Sequence, residues 1–206
     1  MNLKYFILLV IFSGTTALAQ QTMSQVSWEV GFPVAHTSEF LGRNSFAGFG
    51  LDYGKFLDES TSFKLHIGWN LFDERVEDPI NFSNESISGT ISGVQIRTIN
   101  IFPILLGYNI YLGDGRETRP YIGMNAGTYW IGQRLDIGVY KFQSDNWHFG
   151  IAPEFGFIIP VGRTTDFVVS GRYNYAFDAG TSVGGRENNF YSYWNIAIGI
   201  SSTALF

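Results

Sequence analysis

The sequence predicts an all-β protein, a signal peptide followed by one eight-stranded antiparallel up-and-down transmembrane β-barrel. Three observations predict it. Bulky apolar side chains recur at every second position in eight separate segments, the period of a strand. The connections between those segments alternate strictly between short and long. Beyond the first 19 residues no run is apolar and long enough to make a membrane helix, so the hydrophobic content is dispersed.

Composition agrees. The 206 residues, 45% of them hydrophobic and 17% aromatic, amount to one domain. A net charge of -5 with 13 scattered Lys and Arg excludes nucleic acid as a partner, because phosphate recognition requires a basic stripe. The start, MNLKYFILLVIFSGTTALAQQ, joins Lys4, an apolar run at 5–12 and a small-residue Ala17-Leu18-Ala19 end. It reads as a secretory signal over residues 1–19, removed before Gln20, which leaves 20–206 as the barrel domain. The absence of cysteine forbids a disulfide scaffold and removes the attachment residue of a lipoprotein.

Each strand follows in order. The first sets Val26, Trp28, Val30, Phe32 and Val34 against Ser27, Glu29, Gly31 and Ala35. The second sets Ala47, Phe49, Leu51 and Tyr53 against Gly48, Gly50, Asp52 and Gly54. In the third, Phe63, Leu65, Ile67, Trp69 and Leu71 alternate with Lys64, His66, Gly68 and Asn70. The fourth, 94–112, carries Ile96, Phe102, Ile104, Leu106, Tyr108 and Ile110, but Ile99, Ile101 and Leu105 blur its phase, and a bulge is expected near Pro103. The fifth has Ile122, Met124, Ala126 and Trp130 opposite Tyr121, Gly123, Asn125 and Gly127. The sixth, WHFGIAPEFGFII, alternates Trp147, Phe149, Ile151, Phe155, Phe157 and Ile159 with His148, Gly150, Ala152, Glu154 and Gly156. The seventh places Phe167, Val169, Tyr173, Tyr175 and Phe177 against Ser170, Arg172, Asn174 and Ala176. The last, FYSYWNIAIGISSTALF, keeps its period over residues 190–206, longer than the roughly ten residues a tilted strand needs to cross a bilayer. In lipid an open sheet edge leaves backbone groups unpaired, so such strands must close on themselves.

Short connections are expected at 57–61, 113–119 and 161–165, and long ones at 37–44, 72–93, 131–146 and 178–189. A soluble two-sheet sandwich has no reason for this alternation. The aromatics Trp28, Trp69, Trp130, Trp147, Trp194, Tyr108, Tyr173 and Tyr175 fall mostly on the apolar face, as girdles at the two membrane interfaces do.

The hairpin ILLGYNIYLGDGRETRPYIGMNAGTYW, the pair WHFGIAPEFGFIIPVG and FVVSGRYNYAF, and the terminal Phe206 resemble the small eight-stranded outer-membrane barrels, particularly the outer-membrane β-barrel domain proteins of Bacteroidetes-type bacteria. The resemblance covers the whole mature chain. It implies an integral outer-membrane location, with Phe206 as the signal read by the barrel-assembly machinery, and outer-membrane lipids and lipopolysaccharide as surroundings.

Alternation puts Glu29, Asp52, Lys64, His66, Glu154 and Arg172 inside the barrel, where eight strands leave room only for side chains. A buried charge is costly unless paired, so these six are expected to form a polar network in a filled lumen. Equal distance from the turn at 161–165 predicts that Glu154 meets Arg172 across adjacent strands. His66 and His148 face inward at different heights, which argues against a metal site. No cofactor is expected.

In AHTSEF, His36 and Ser38 sit beside Glu39, loosely similar to the His-x-Ser-Asn element of lipid A deacylase barrels, but Glu replaces Asn and the element lies on the first hairpin. No complete catalytic set emerges. The second long connection gathers Asp73, Glu74, Glu77, Asp78 and Glu85 against Arg75 alone, a solvated face that shares bridging cations with lipopolysaccharide if it contacts anything. The leading functional expectation is a non-enzymatic barrel with a structural or surface-contact role through its outer loops. The alternatives are a narrow channel or carrier for small or apolar solutes and, behind it, a lipid A-modifying enzyme. The sequence names no loop partner.

Overall fold

The computed structural model describes residues 21–77, 80–84, 87–91, 94–113, 117–179 and 190–205. Along the chain run β1 (Gln21–Val34), α1 (His36–Phe40), β2 (Ala47–Phe56), β3 (Thr61–Val76), β4 (Ile80–Asn84), β5 (Ile87–Ile91), β6 (Gln95–Tyr111), β7 (Arg119–Ile137), β8 (Tyr140–Pro160), β9 (Thr165–Phe177) and β10 (Phe190–Leu205). Eight of the strands close a barrel in the order β1-β10-β9-β8-β7-β6-β3-β2, and every neighbouring pair is antiparallel. The seam pairs Gln21 with Leu205 at one end and Val34 with Ser192 at the other, so no barrel edge is left open. The expected signal peptide and Phe206 lie outside the described residues.

The pleat sorts side chains as the alternation requires. Outside stand Val26, Leu51, Ile67, Leu106, Ile122, Phe155 and Ile200, all well exposed. A contiguous apolar wall of this kind is what a bilayer solvates and water does not. Inside are small, polar and charged residues. Glycine at the inner face leaves space for them: a Cβ on Gly50 would fall 2.6 Å from Glu29 Oε1, and one on Gly156 would fall 2.7 Å from the Tyr121 ring.

Two expectations are corrected. Pro103 marks no bulge. The β3–β6 register is the same on both sides of it, Ile67 opposite Ile104 and Asn70 opposite Ile101, and β6–β7 pairs without a break. Proline removes one ladder donor without adding a residue, so pairing lapses locally while the phase holds. The inward set of β6 is therefore apolar here, with Ile99, Ile101 and Leu105 fully buried, which explains the blurred alternation. Second, the stretch 131–146 is no loop. β7 and β8, 19 and 21 residues long, continue paired to Ile137 and Tyr140 around a tight turn in which Gly138 takes φ +58°, a conformation glycine tolerates best. The first connection likewise holds α1, and the second holds β4 and β5, which pair only with each other.

Six strands carry one aromatic row around the wall. Trp28 is in register with Phe49 and Phe49 with Trp69. Phe102 lies 6.3 Å from Trp69 and 5.4 Å from Trp130, ring centre to ring centre, and Trp130 pairs with Trp147. The indole of Trp28 donates to the Phe46 carbonyl at 2.8 Å, giving it the polar handle that interfacial tryptophans use. From Trp130, β7 continues seven residues, roughly 23 Å at 3.3 Å per residue, to Ile137.

Candidate functional site: a three-tiered lumen

Alternate residues of each strand descend into the lumen, so neighbouring inward positions on one strand mark successive depths. On β8 they read Ala152, Glu154, Gly156 and Ile158; on β9, Ala176, Asn174, Arg172, Ser170 and Val168. Both strands pass from apolar to charged to apolar. The tier nearest the long connections packs Leu41, Phe72, Ile99, Ile101, Leu105, Tyr129, Ile131, Tyr191 and Tyr193, with Phe40 against them. The tier at the short-turn end packs Tyr111, Tyr121, Ile158 and Val168, with Phe56 against them. Between them lies the polar network.

All six residues expected inside are buried there: Glu29, Asp52, Lys64, His66, Glu154 and Arg172 are each at most 6% exposed. Two acid–base groupings organise them. Lys64 Nζ donates to both carboxylate oxygens of Glu154 at 2.8 Å and lies 3.4 Å from Asp52 Oδ1, while His66 Nδ1 is 3.1 Å from the same Asp52 oxygen. The Arg172 guanidinium donates to Glu29 Oε1, and Glu29 Oε2 accepts from Asn195 at 2.6 Å and Asn70 at 3.3 Å. Glu154 also accepts from the Tyr121 hydroxyl at 2.7 Å and from Asn125 at 3.1 Å. His66 Nε2, 3.9 Å from Glu29 Oε1, stands between the two groupings. Each carboxylate thus has a cation and, for Glu29 and Glu154, neutral donors on its remaining lone pairs, while Arg172 Nε and Nη1 stay without a hydrogen-bond partner among the described residues.

The expected Glu154–Arg172 contact needs correction at the level of side chains. Their backbones are register partners across β8–β9. Their charged ends nonetheless turn to other partners, Glu154 to Lys64 on β3 and Arg172 to Glu29 on β1. In a barrel this narrow a long side chain reaches the far wall as readily as the adjacent strand. Pairing both acids with Arg172 would leave the Lys64 ammonium with Asp52 alone. The amides Asn70, Asn125 and Asn195 and the phenol of Tyr121 were not singled out from sequence, although their inward parity was readable there.

The other candidates take these places. His148 is buried at the outer tier, with Nδ1 2.9 Å from the Phe177 carbonyl and its ring edge-on to Tyr191. Among the described residues no three His, Cys, Asp or Glu converge to hold a metal. In α1, His36 Nδ1 lies 3.3 Å from Glu39, whereas the Ser38 hydroxyl donates to the Ala35 carbonyl at 2.6 Å, so Ser38 is not aimed at a base. Arg75 pairs with Glu77 at 3.2 Å; Asp78 and Glu85 lie outside the described residues.

α1 packs against the long-connection end of the barrel. Leu41 is fully buried in the apolar tier, Thr37 Oγ1 accepts the Ser192 N–H at 2.9 Å, Arg97 donates to the Phe40 carbonyl at 3.0 Å, and the Gly42 N–H donates to Glu74 at 2.8 Å.

No protein-family model matches the chain, and no curated protein matches it. Solved structures do. Neisserial surface protein A, NspA, superimposes with a TM-score of 0.53 at 12% identity, over 92% of this chain and 98% of that one. The N-terminal β-barrel domain of Pseudomonas aeruginosa OprF follows with 0.49 at 12% identity, over 90% and 98%. OprG from the same organism gives 0.49 at 13%, over 91% and 97%. The chain has the fold of the small eight-stranded outer-membrane barrels. At these identities the likeness speaks to architecture alone.

Proposed function

We propose that this chain is an integral outer-membrane barrel that neither catalyses nor conducts, and that it serves membrane structure or surface contact through the elements at its long-connection end. The observation that carries this reading is the tiered lumen. A solute path must be continuous, whereas here an ion-paired middle is closed by packed aromatic and aliphatic side chains at both ends. The apolar outer wall and its aromatic row support insertion in a bilayer. Short turns at one end and long excursions at the other support an orientation in which α1, the β4–β5 hairpin and the extended β7–β8 hairpin face outward. The hairpin motifs support a place among the Bacteroidetes-type barrel-domain proteins. That origin carries with it assembly by the barrel-assembly machinery and surroundings of outer-membrane lipid and lipopolysaccharide.

Planar-bilayer recording tests the reading. Refolded protein is expected to add no stable unitary conductance. Reproducible single-channel openings would replace it with the channel alternative.

A further inference from the structure

Below the inner apolar tier the barrel ends in an open cup of about 650 Å3. The closed strand order sets its walls. The turn 57–60, joining β2 to β3, lies diametrically opposite the turn 161–164, joining β8 to β9; the start of β7 and the β1–β10 seam fill the other two sides. The two turns bring Glu59 and Arg163 to the rim, and neither takes part in a salt bridge among the described residues. Arg119 Nη2 donates to the Glu59 carbonyl at 2.6 Å, and its guanidinium carbon sits 5.2 Å over the Tyr111 ring. Its Nε, shielded from solvent, has no hydrogen-bond partner. Asp166, on the cup's far side, accepts from the Thr203 hydroxyl at 3.3 Å. The floor is the apolar tier, so whatever enters stops there.

The Arg163 guanidinium on one wall matches a carboxylate, which takes paired N–H donors. A simple anion, however, would also meet Glu59 on the opposite turn, and a simple cation would meet Arg163. A ligand bearing both signs satisfies both walls. We propose that the cup binds a short zwitterionic peptide laid across it, its carboxylate on Arg163 and its ammonium toward Glu59. Such charge pairs belong to diffusible peptides and, where a diamino residue supplies the ammonium, to the stem peptides of a cell wall. The second source alone rests on the outer-membrane reading above.

The test uses the refolded full barrel in detergent micelles, with folding checked by its heat-sensitive gel mobility. Alanylalanine, its N-acetyl form and its C-amide are titrated while backbone amide signals are followed by NMR. Expected are saturable shifts confined to the turns 57–60 and 161–164, with both blocked peptides about tenfold weaker or worse, the loss of one charge-assisted contact. Arg163→Gln, an exposed turn substitution with little bearing on folding, is expected to weaken binding by about the same factor, and Arg43→Gln at the opposite end to leave it unchanged. Co-sedimentation with purified cell-wall sacculi identifies the source: binding to sacculi marks the wall, and binding to alanylalanine alone marks a diffusible peptide. Absence of saturable shifts, equal binding of the blocked peptides, or equal behaviour of the two arginine variants would overturn the proposal.

Discussion

Glu154 accepts from an ammonium, a phenol and an amide at once, and no neighbouring position in the sequence announces that gathering. Removing it leaves Lys64 buried with only Asp52 nearby, and a stranded buried charge costs about 3 to 5 kcal/mol. Glu154→Ala is therefore expected to lower the urea midpoint of vesicle-folded protein strongly, while Glu154→Ala with Lys64→Ala recovers part of the loss. The same cycle run with Arg172→Ala in place of Lys64→Ala should show the weaker coupling, because that guanidinium donates to Glu29. Equal couplings would return the pairing to the one expected from strand register. At the turn of β2 and β3, the Thr61 hydroxyl and then the Ser60 N–H and hydroxyl donate to Asp58, at 2.7 to 2.8 Å, and hold its carboxyl below the ordinary range. A group whose folded pKa is depressed contributes order above its unfolded pKa and loses it as pH falls through the folded one. Amide exchange at Ser60 should stay protected down through mild acid and rise only below the usual carboxylate range; protection lost already near neutrality would contradict this.

At the scale of elements, α1 is a short helix folded against the long-connection end of the barrel. Its five residues are too few to be stable alone; Leu41 in the apolar tier and the contacts of Thr37 and Phe40 hold it. Cutting back a fully buried leucine costs about 2 to 5 kcal/mol. Leu41→Ala should speed exchange of the amide at position 41, which donates to the Thr37 carbonyl at 3.0 Å, while amides of β7 and β8 exchange as before. If the strands loosen equally, the helix and the wall are one cooperative unit. The β7–β8 hairpin makes the complementary point. Residues 131–146 read as a loop because Gly132, Asp136, Gly138, Ser144, Asp145 and Asn146 are turn formers, but the antiparallel register of β7 with β8 runs on through them regardless of side-chain preference.

For the whole molecule the aromatic row follows the strand register and so climbs the tilted barrel. Trp28, Trp69, Trp130 and Trp147 lie on one line of register partners and ring neighbours around six strands, and strands tilted about 35 to 45° to the barrel axis carry such a line along the axis, so its two ends lie at different depths in the bilayer. With bromine placed at successive depths of the lipid chains, quenching of single-tryptophan variants should peak at different depths for Trp28 and Trp147. A common peak for both would mean that the strands do not tilt as the closed register requires. The same architecture underlies the expected lack of conductance, since closure of the sheet protects the backbone while the filled tiers occupy the space that closure creates.

The eight barrel strands, their closure and the inward parity of Glu29, Asp52, Lys64, His66, Glu154 and Arg172 were legible in the sequence, whereas the long connection expected at 131–146 was not a loop. The legible features follow from a local rule: a pleat turns successive side chains to opposite faces, and turn residues interrupt it. Which carboxylate meets which cation, the fold of α1 against the end of the barrel, the apolar tiers of Ile99, Ile101 and Leu105 above and Tyr111 and Tyr121 below, and the cup between Glu59 and Arg163 were decided only by tertiary structure. They depend on distances across the lumen between strands far apart in the chain, and those distances exist only once the sheet has closed.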